Sequence, residues 1–228
     1  MTPMVSFLTN SMYSMDYQII TMVNGAHTPG LDQFFWATTH VWPWLPMFVL
    51  MFGLIFLCYR RRSWRVILFI ALAVGTSDII SSGILKPLVH RPRPSHNPEL
   101  VLHLHERPNG TYYRGGPYGF PSSHAANSST LAILLYLFLR PFLSRKWPLA
   151  LLLTGFVLLF CYTRVYLGVH YPTDILGGWC VGIIVSLSAF TLYRHLDKKR
   201  QNVTLYRQER LFHFNINLFK NPKLLMLC

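Results

Sequence analysis

The sequence predicts an all-α fold: a polytopic transmembrane helix bundle of about five spanning helices, preceded by N-terminal interfacial helices. Three observations lead there. Apolar residues make up 52% of the 228 residues and charged residues only 13%, about half the charged share of a soluble domain. Five stretches have the apolar length a bilayer core demands, about 20 residues each. The basic residues are divided unevenly between the turns that join those stretches. With 15% aromatics, this composition also excludes a disordered, coiled-coil or collagen-like chain.

The elements follow in order. Segment 1–41 is broken by Asn24, Gly25, Pro29, Gly30 and Asp32 and is too interrupted to span. It is read as two amphipathic helices, around 12–23 and 31–40, lying in the membrane interface. The spans are Trp42 to Tyr59, Val66 to Val89 (interrupted by Asp78 and Lys86), Ser122 to Leu139, Trp147 to Leu167 and Pro172 to Tyr193. Gly75, Ser81, Ser82, Gly83, Gly177, Gly178 and Gly182 are small enough to let helices approach closely. The segmentation is therefore 1–41 interfacial, 42–196 transmembrane and 197–228 a basic tail, whose Leu211, Phe212, Phe214 and Ile216 suit an anionic inner leaflet.

Charge sets the expected topology. Lys and Arg number 21 against 8 Asp and Glu, a formal net charge of +13. Fifteen of the 21 lie in the turns after spans one and three and in the tail. The bias of basic residues towards the cytoplasm puts those inside, with the loop 90–120 facing the extracytoplasmic space and the C-terminus in the cytoplasm. The same rule makes a membrane a better reading of the charge than nucleic acid. Three of the four cysteines lie in apolar stretches and the fourth is Cys228, which argues for buried small hydrophobes and against a disulfide framework. No cleavable signal peptide is expected, because the first basic residue is Arg60.

Ionisable groups near hydrocarbon are costly and point to function. Three clusters fall at one membrane depth: Lys86 with Arg93-Pro94; Pro121-Ser122-Ser123-His124; and Thr163-Arg164 with His170 and Asp174. Lys86, Arg93 and Arg164 are three cations without a matching number of acids. They call for an anion with several oxygens, and the guanidinium fork suits phosphate. Ser122 and Ser123 open a helix whose free backbone N–H groups favour the same anion, Ser122 as N-cap or as phosphate donor. One carboxylate among cations makes no ligand set for Mg²⁺ or Zn²⁺, so a metal-independent phosphate site is expected, with no cofactor. His170 stands four residues before Asp174, which would fix its tautomer and free the other nitrogen to attack. His124 is then the general acid that protonates the leaving oxygen and later activates water.

The residues KPLVHRPRP, PSSH and TRVYLGVHYPTD resemble the three motifs of the type-2 phosphatidic acid phosphatase superfamily: Lys-x6-Arg-Pro, Pro-Ser-Gly-His and Ser-Arg-x5-His-x3-Asp. Order and spacing agree over 86–174. The resemblance implies phosphate contacts at Lys86, Arg93, Ser122, the Ser123 backbone and Arg164, with His124 as acid, His170 as nucleophile and Asp174 as its partner. Two positions depart from the pattern. Ser123 stands in place of Gly, adding a side chain where the backbone should approach phosphate, and Thr163 replaces Ser but keeps the hydroxyl.

A membrane lipid phosphatase is thus expected, acting on a lipid phosphate or pyrophosphate. Undecaprenyl pyrophosphate is favoured because the chain is short and compact. Phosphatidylglycerophosphate, phosphatidic acid and the phosphates of lipid A are the alternatives. Transfer to another lipid, or lipid-phosphate binding without turnover, are the rival functions; the retained histidines argue against mere binding. Asp78 is read as a polar contact between spans, His90 and Arg91 as lining the entrance, Tyr171 and Trp179 as packing or interface aromatics, and His96, His103 and His105 as solvated loop residues in preference to the alternative of a metal site there.

Overall fold

A computed structural model describes the backbone of residues 3–220 and the side chains of 13–198. The described residues form helices and loops without a strand. Helix α1 spans Pro3–Gly25 and α2 Pro29–Thr38. The break between them is local chemistry: Gly25 ends α1, Pro29 opens α2, and the Thr28 side chain accepts from the Leu31 N–H. Helix α1 thus begins well before the expected interfacial helix, and part of its length is buried. Ile20, Asp16 and Asn24 are enclosed, and both α1 and α2 pack on α7 (Trp147–Tyr166).

Helix α3 (Leu45–Tyr59) ends at Arg60, which takes a positive φ of 49°. The chain reverses through Arg60–Arg62, with Ser63 Oγ donating to the Arg60 carbonyl at 2.7 Å. Helix α4 (Ser63–Asp78) packs back on α3. It continues through a π-helical stretch, Ile79–Leu85, into α5 (Lys86–Val89), which stops at His90 in the left-handed conformation. Wide turns of this kind gather at functional sites, and this one ends at Lys86. The loop that follows is tied by two isolated bridges, Pro92 to Tyr118 and Glu106 to Tyr112.

Helix α6 (Ser123–Leu139) is the central one, with most of its residues buried. Helix α8 runs Pro172–Lys220. Of the glycines expected to allow close approach, three do so at this point. A Cβ on Gly178 would press into the Ser122 carbonyl and Ala125, one on Gly182 into Ser129, and one on Gly177 into the Phe120 ring. Gly75 and Gly83 meet nothing outside their own helix within 4 Å.

Among the described residues, three stretches are long and apolar enough to cross a membrane: Trp42–Val89, Trp147–Tyr166 and Pro172–Lys198. The first holds the α3–α4 hairpin. Their outward faces are apolar, with Leu57 71% and Leu151 66% exposed, as a lipid-facing surface requires. Residues to Leu187 form one compact unit and those from Ser188 a second; the three charged clusters all fall in the first. The side chains from 199 onward, to which the inner-leaflet reading of the tail refers, lie outside the described residues.

Candidate active site

Antiparallel helices bring alternate ends together. Lys86 stands at the end of the α4–α5 helix, Ser122 to His124 at the start of α6, Arg164 at the end of α7 and Asp174 at the start of α8. The three sequence clusters therefore converge at one end of the bundle, and the 90–121 loop adds Arg93.

His170 is buried between α7 and α8. Gly168 at φ 68° turns the chain there, and the His170 N–H returns to the Arg164 carbonyl at 3.2 Å. Its ring nitrogens face Asp174 Oδ2, 3.3 Å from Nδ1, and Arg93 Nη1, 2.8 Å from Nε2, and the ring also bonds the Gly119 backbone. Arginine can only donate, so Nε2 accepts and Nδ1 carries the proton towards Asp174. Burial, reinforced by the charges of Arg93, Arg164 and Lys86, holds the imidazole well below the usual histidine range. His170 is thus a neutral imidazole with its lone pair on the nitrogen that faces the cations.

Those cations are held by neutral groups. Arg93 donates from Nη1 to the Val169 carbonyl at 3.0 Å. Burial, then repulsion by Arg164, lowers it to about 10, so it stays charged at neutral pH. Arg164 donates to Thr39 Oγ1 at 2.6 Å and to the Tyr113 hydroxyl at 2.8 Å. The Nε of each arginine is buried without a hydrogen-bond partner. Such donors are costly unless satisfied, and phosphate oxygens would satisfy them. The Gly115 backbone lies against the Arg93 guanidinium, where a Cβ would come within 3.1 Å.

The second cluster divides its duties. Ser122 is the N-cap of α6, its hydroxyl accepting from the Ala125 N–H and its N–H bonding the Asp174 carbonyl at 2.9 Å. Ser123, the departure from glycine, points its hydroxyl at Lys86 Nζ and at Ser82 Oγ, the latter 2.8 Å away. The added side chain therefore anchors Lys86. His124 stacks on Phe160 with centroids 5.4 Å apart and lies close enough to feel Arg164, His170, Arg93 and Lys86. Thr163 Oγ1 donates to Thr39 Oγ1 at 3.0 Å.

Several participants carry no signal in the sequence. Arg91, expected to line the entrance, is a brace whose side chain is 11% exposed. It donates to Asp174 Oδ1 at 2.7 Å, to Asp16 Oδ2 at 2.6 Å and to Thr173 Oγ1 at 2.6 Å, and it lies over the Tyr171 ring at 4.4 Å. Burial opposes its charge, but Asp174 and Asp16 outweigh that and raise its pKa. Asp16, from α1, also accepts from the Thr173 N–H at 3.0 Å and from its hydroxyl. Thr39, Tyr113 and Gly119 are equally unmarked; a Cβ on Gly119 would collide with Asp174. His90 stands edge-on to Tyr118, and Asp78 accepts from Asn127 of α6 at 2.9 Å, a contact between helices.

A family model described as the PAP2 superfamily matches residues 63–198. A lipid A 4'-phosphatase of Bacteroides thetaiotaomicron is 35% identical over 183 residues, covering 78% of this chain and 75% of that protein. An undecaprenyl-diphosphatase of Bacillus subtilis is 27% identical, over 91% of this chain and 97% of that one. The crystal structure of a transmembrane PAP2-type phosphatidylglycerolphosphate phosphatase from Bacillus subtilis superposes with a TM-score of 0.62 at 28% identity, over 86% of this chain and 90% of that chain.

Proposed function

The chain belongs to the PAP2 superfamily, and on that premise we propose that it is an integral membrane lipid phosphatase working through a phosphohistidine at His170. The observation that carries this reading is the lone pair on His170 Nε2, turned towards buried guanidinium groups whose Nε donors are unpartnered. Bound phosphate takes over the Arg93 donors, which releases Nε2. That nitrogen attacks phosphorus, and the bond from phosphorus to the leaving oxygen breaks. His124 gives that oxygen a proton. Asp174 stabilises the positive charge that develops on the ring through Nδ1–H. Lys86, Arg93 and Arg164 stabilise the equatorial oxygens of the transferring group. His124 then takes a proton from water, which attacks the phosphohistidine, releases phosphate and regenerates His170. No step calls for a metal ion.

The substrate is a lipid phosphate or pyrophosphate met at the extracytoplasmic face. The higher identity to a lipid A 4'-phosphatase than to an undecaprenyl-diphosphatase favours a phosphate of lipid A. Undecaprenyl pyrophosphate, favoured by compactness alone, is the second reading. The test is phosphate release by the purified chain from lipid A, undecaprenyl pyrophosphate, phosphatidylglycerophosphate and phosphatidic acid. Release from one of these that persists in EDTA and is lost in His170→Ala supports the proposal. Binding without turnover on the whole panel, or activity that survives His170→Ala, overturns it. Label passing to an added lipid instead of water would mark a phosphotransferase.

A further inference from the structure

Beyond the catalytic pocket, the described residues bring two imidazoles and a carboxylate together: His27, Asp32 and His103. They come from three places: the turn between α1 and α2, the first turn of α2, and the outer loop. Their ligand atoms all lie within 4.8 Å of one another. His103 Nε2 is 3.2 Å from Asp32 Oδ2, near the edge of a tetrahedron with zinc-like bond lengths, about 3.3 Å. The His27 and His103 rings stack at 3.9 Å. Both are exposed, so each can swing to turn a nitrogen onto a shared ion.

The cluster is braced from behind. Asn24 holds the His103 backbone on both sides, donating to its carbonyl at 2.8 Å and accepting from its N–H at 2.7 Å. The Tyr166 hydroxyl donates to Asp32 Oδ1 at 2.6 Å, leaving Oδ2 for His103. His105, two residues on, stacks on Trp36 of α2 at 3.9 Å. Supports of this kind fix ligands in built metal sites. A cavity of about 550 Å³, lined among others by Asp32, His103, Glu106 and Arg114, opens beside the cluster and gives an ion its way in.

We propose that His27, Asp32 and His103 bind a divalent transition-metal ion of the zinc class, clamping the α1–α2 turn to the outer loop. Two imidazoles with one carboxylate suit zinc, whereas magnesium and calcium prefer all-oxygen ligands. The clamp stands apart from the chemistry but not from its scaffold. Helix α2 carries Asp32 at one end, and Thr39, which follows its other end, holds Arg164.

The test uses the full chain in detergent, stripped with EDTA and desalted, and titrated with zinc chloride in a calorimeter. One zinc per chain is expected. His27→Ala and His103→Ala should each weaken binding about tenfold or more, while His96→Ala, in the same loop but outside the cluster, should leave it intact. Asp32→Asn keeps an acceptor for Tyr166 and should also weaken it. Zinc should raise the melting temperature of the parent chain but not of the double histidine variant. This shift reads folding and binding without reference to turnover. Absence of saturable binding, equal binding in the double variant, or displacement by millimolar magnesium would overturn the site.

Discussion

At the residue scale, the direction of a single proton organises the chemistry. Because Arg93 can only donate, its contact with His170 Nε2 assigns the other proton to Nδ1 and Asp174. His170→Ala should lower kcat/KM by about 10³-fold or more, and His124→Ala by about 10²- to 10⁴-fold, read by phosphate release. Burial and the neighbouring cations lower the His170 pKa. In the proposed mechanism a proton on Nε2 removes the nucleophile, so activity should fall only as the pH drops through that lowered value. The acid limb of the kcat/KM profile should therefore lie below the ordinary histidine value of about 6.5; an acid limb above it would contradict the assignment. Arg91 bridges Asp16 to Asp174, so in the proposed mechanism the two would act through Asp174. Arg91→Lys and Asp16→Asn should lower kcat about tenfold or more with little change in KM, the split expected of positioning residues.

Lys86, Arg93, His124, Arg164, His170 and Asp174 are legible as candidates because a chain poor in charge gathers ionisable residues there in three short clusters. Asp16, Thr39 and Tyr113 are not. Asp16 lies 75 residues from Arg91, and Thr39 and Tyr113 lie 125 and 51 residues from Arg164. Nothing local marks such distant pairs, and a lone Asp in an interrupted apolar segment looks like an interfacial break. Arg91 misleads for a different reason: proximity to the first motif suggests an entrance, whereas its guanidinium turns inward to two carboxylates.

At the scale of elements, the site depends on how closely α8 approaches α6. Gly178→Ala would drive a Cβ into the Ser122 carbonyl, the N-cap of the helix that carries His124. A cost of about 1–3 kcal/mol is expected from such overpacking, seen as a lowered melting temperature in detergent. Gly75→Ala, with open space around it, should leave that temperature unchanged or raise it. The π-helical stretch before Lys86 has no signature in the apolar pattern, since a wide turn changes backbone hydrogen bonding and not composition. The membrane-length stretches Trp42–Val89, Trp147–Tyr166 and Pro172–Lys198 are legible from apolar length, but α6, expected as the third span, is not among them, and the depth to which α1 is buried is not legible. Its hydrophobic face is discontinuous, and its polar residues Asp16 and Asn24 are enclosed by partners far away in sequence.

At the scale of the whole molecule, the division of basic residues expects the 90–120 loop outside and the Arg60–Arg62 turn inside. The Asn109→Cys variant should react with a membrane-impermeant maleimide in intact cells, and Arg61→Cys only after permeabilisation; the reverse pattern would invert the topology. On that topology the alternating helix ends would open the proposed phosphate site at the outer face, beside the acyl chains of a lipid substrate. The most direct test of this account is rapid acid-free quenching of the working enzyme on ³²P-labelled lipid phosphate, followed by peptide mapping. A base-stable, acid-labile phosphoryl group on His170, absent in His170→Ala, is the expected result. Phosphate release at the full rate with no label on His170 would contradict it.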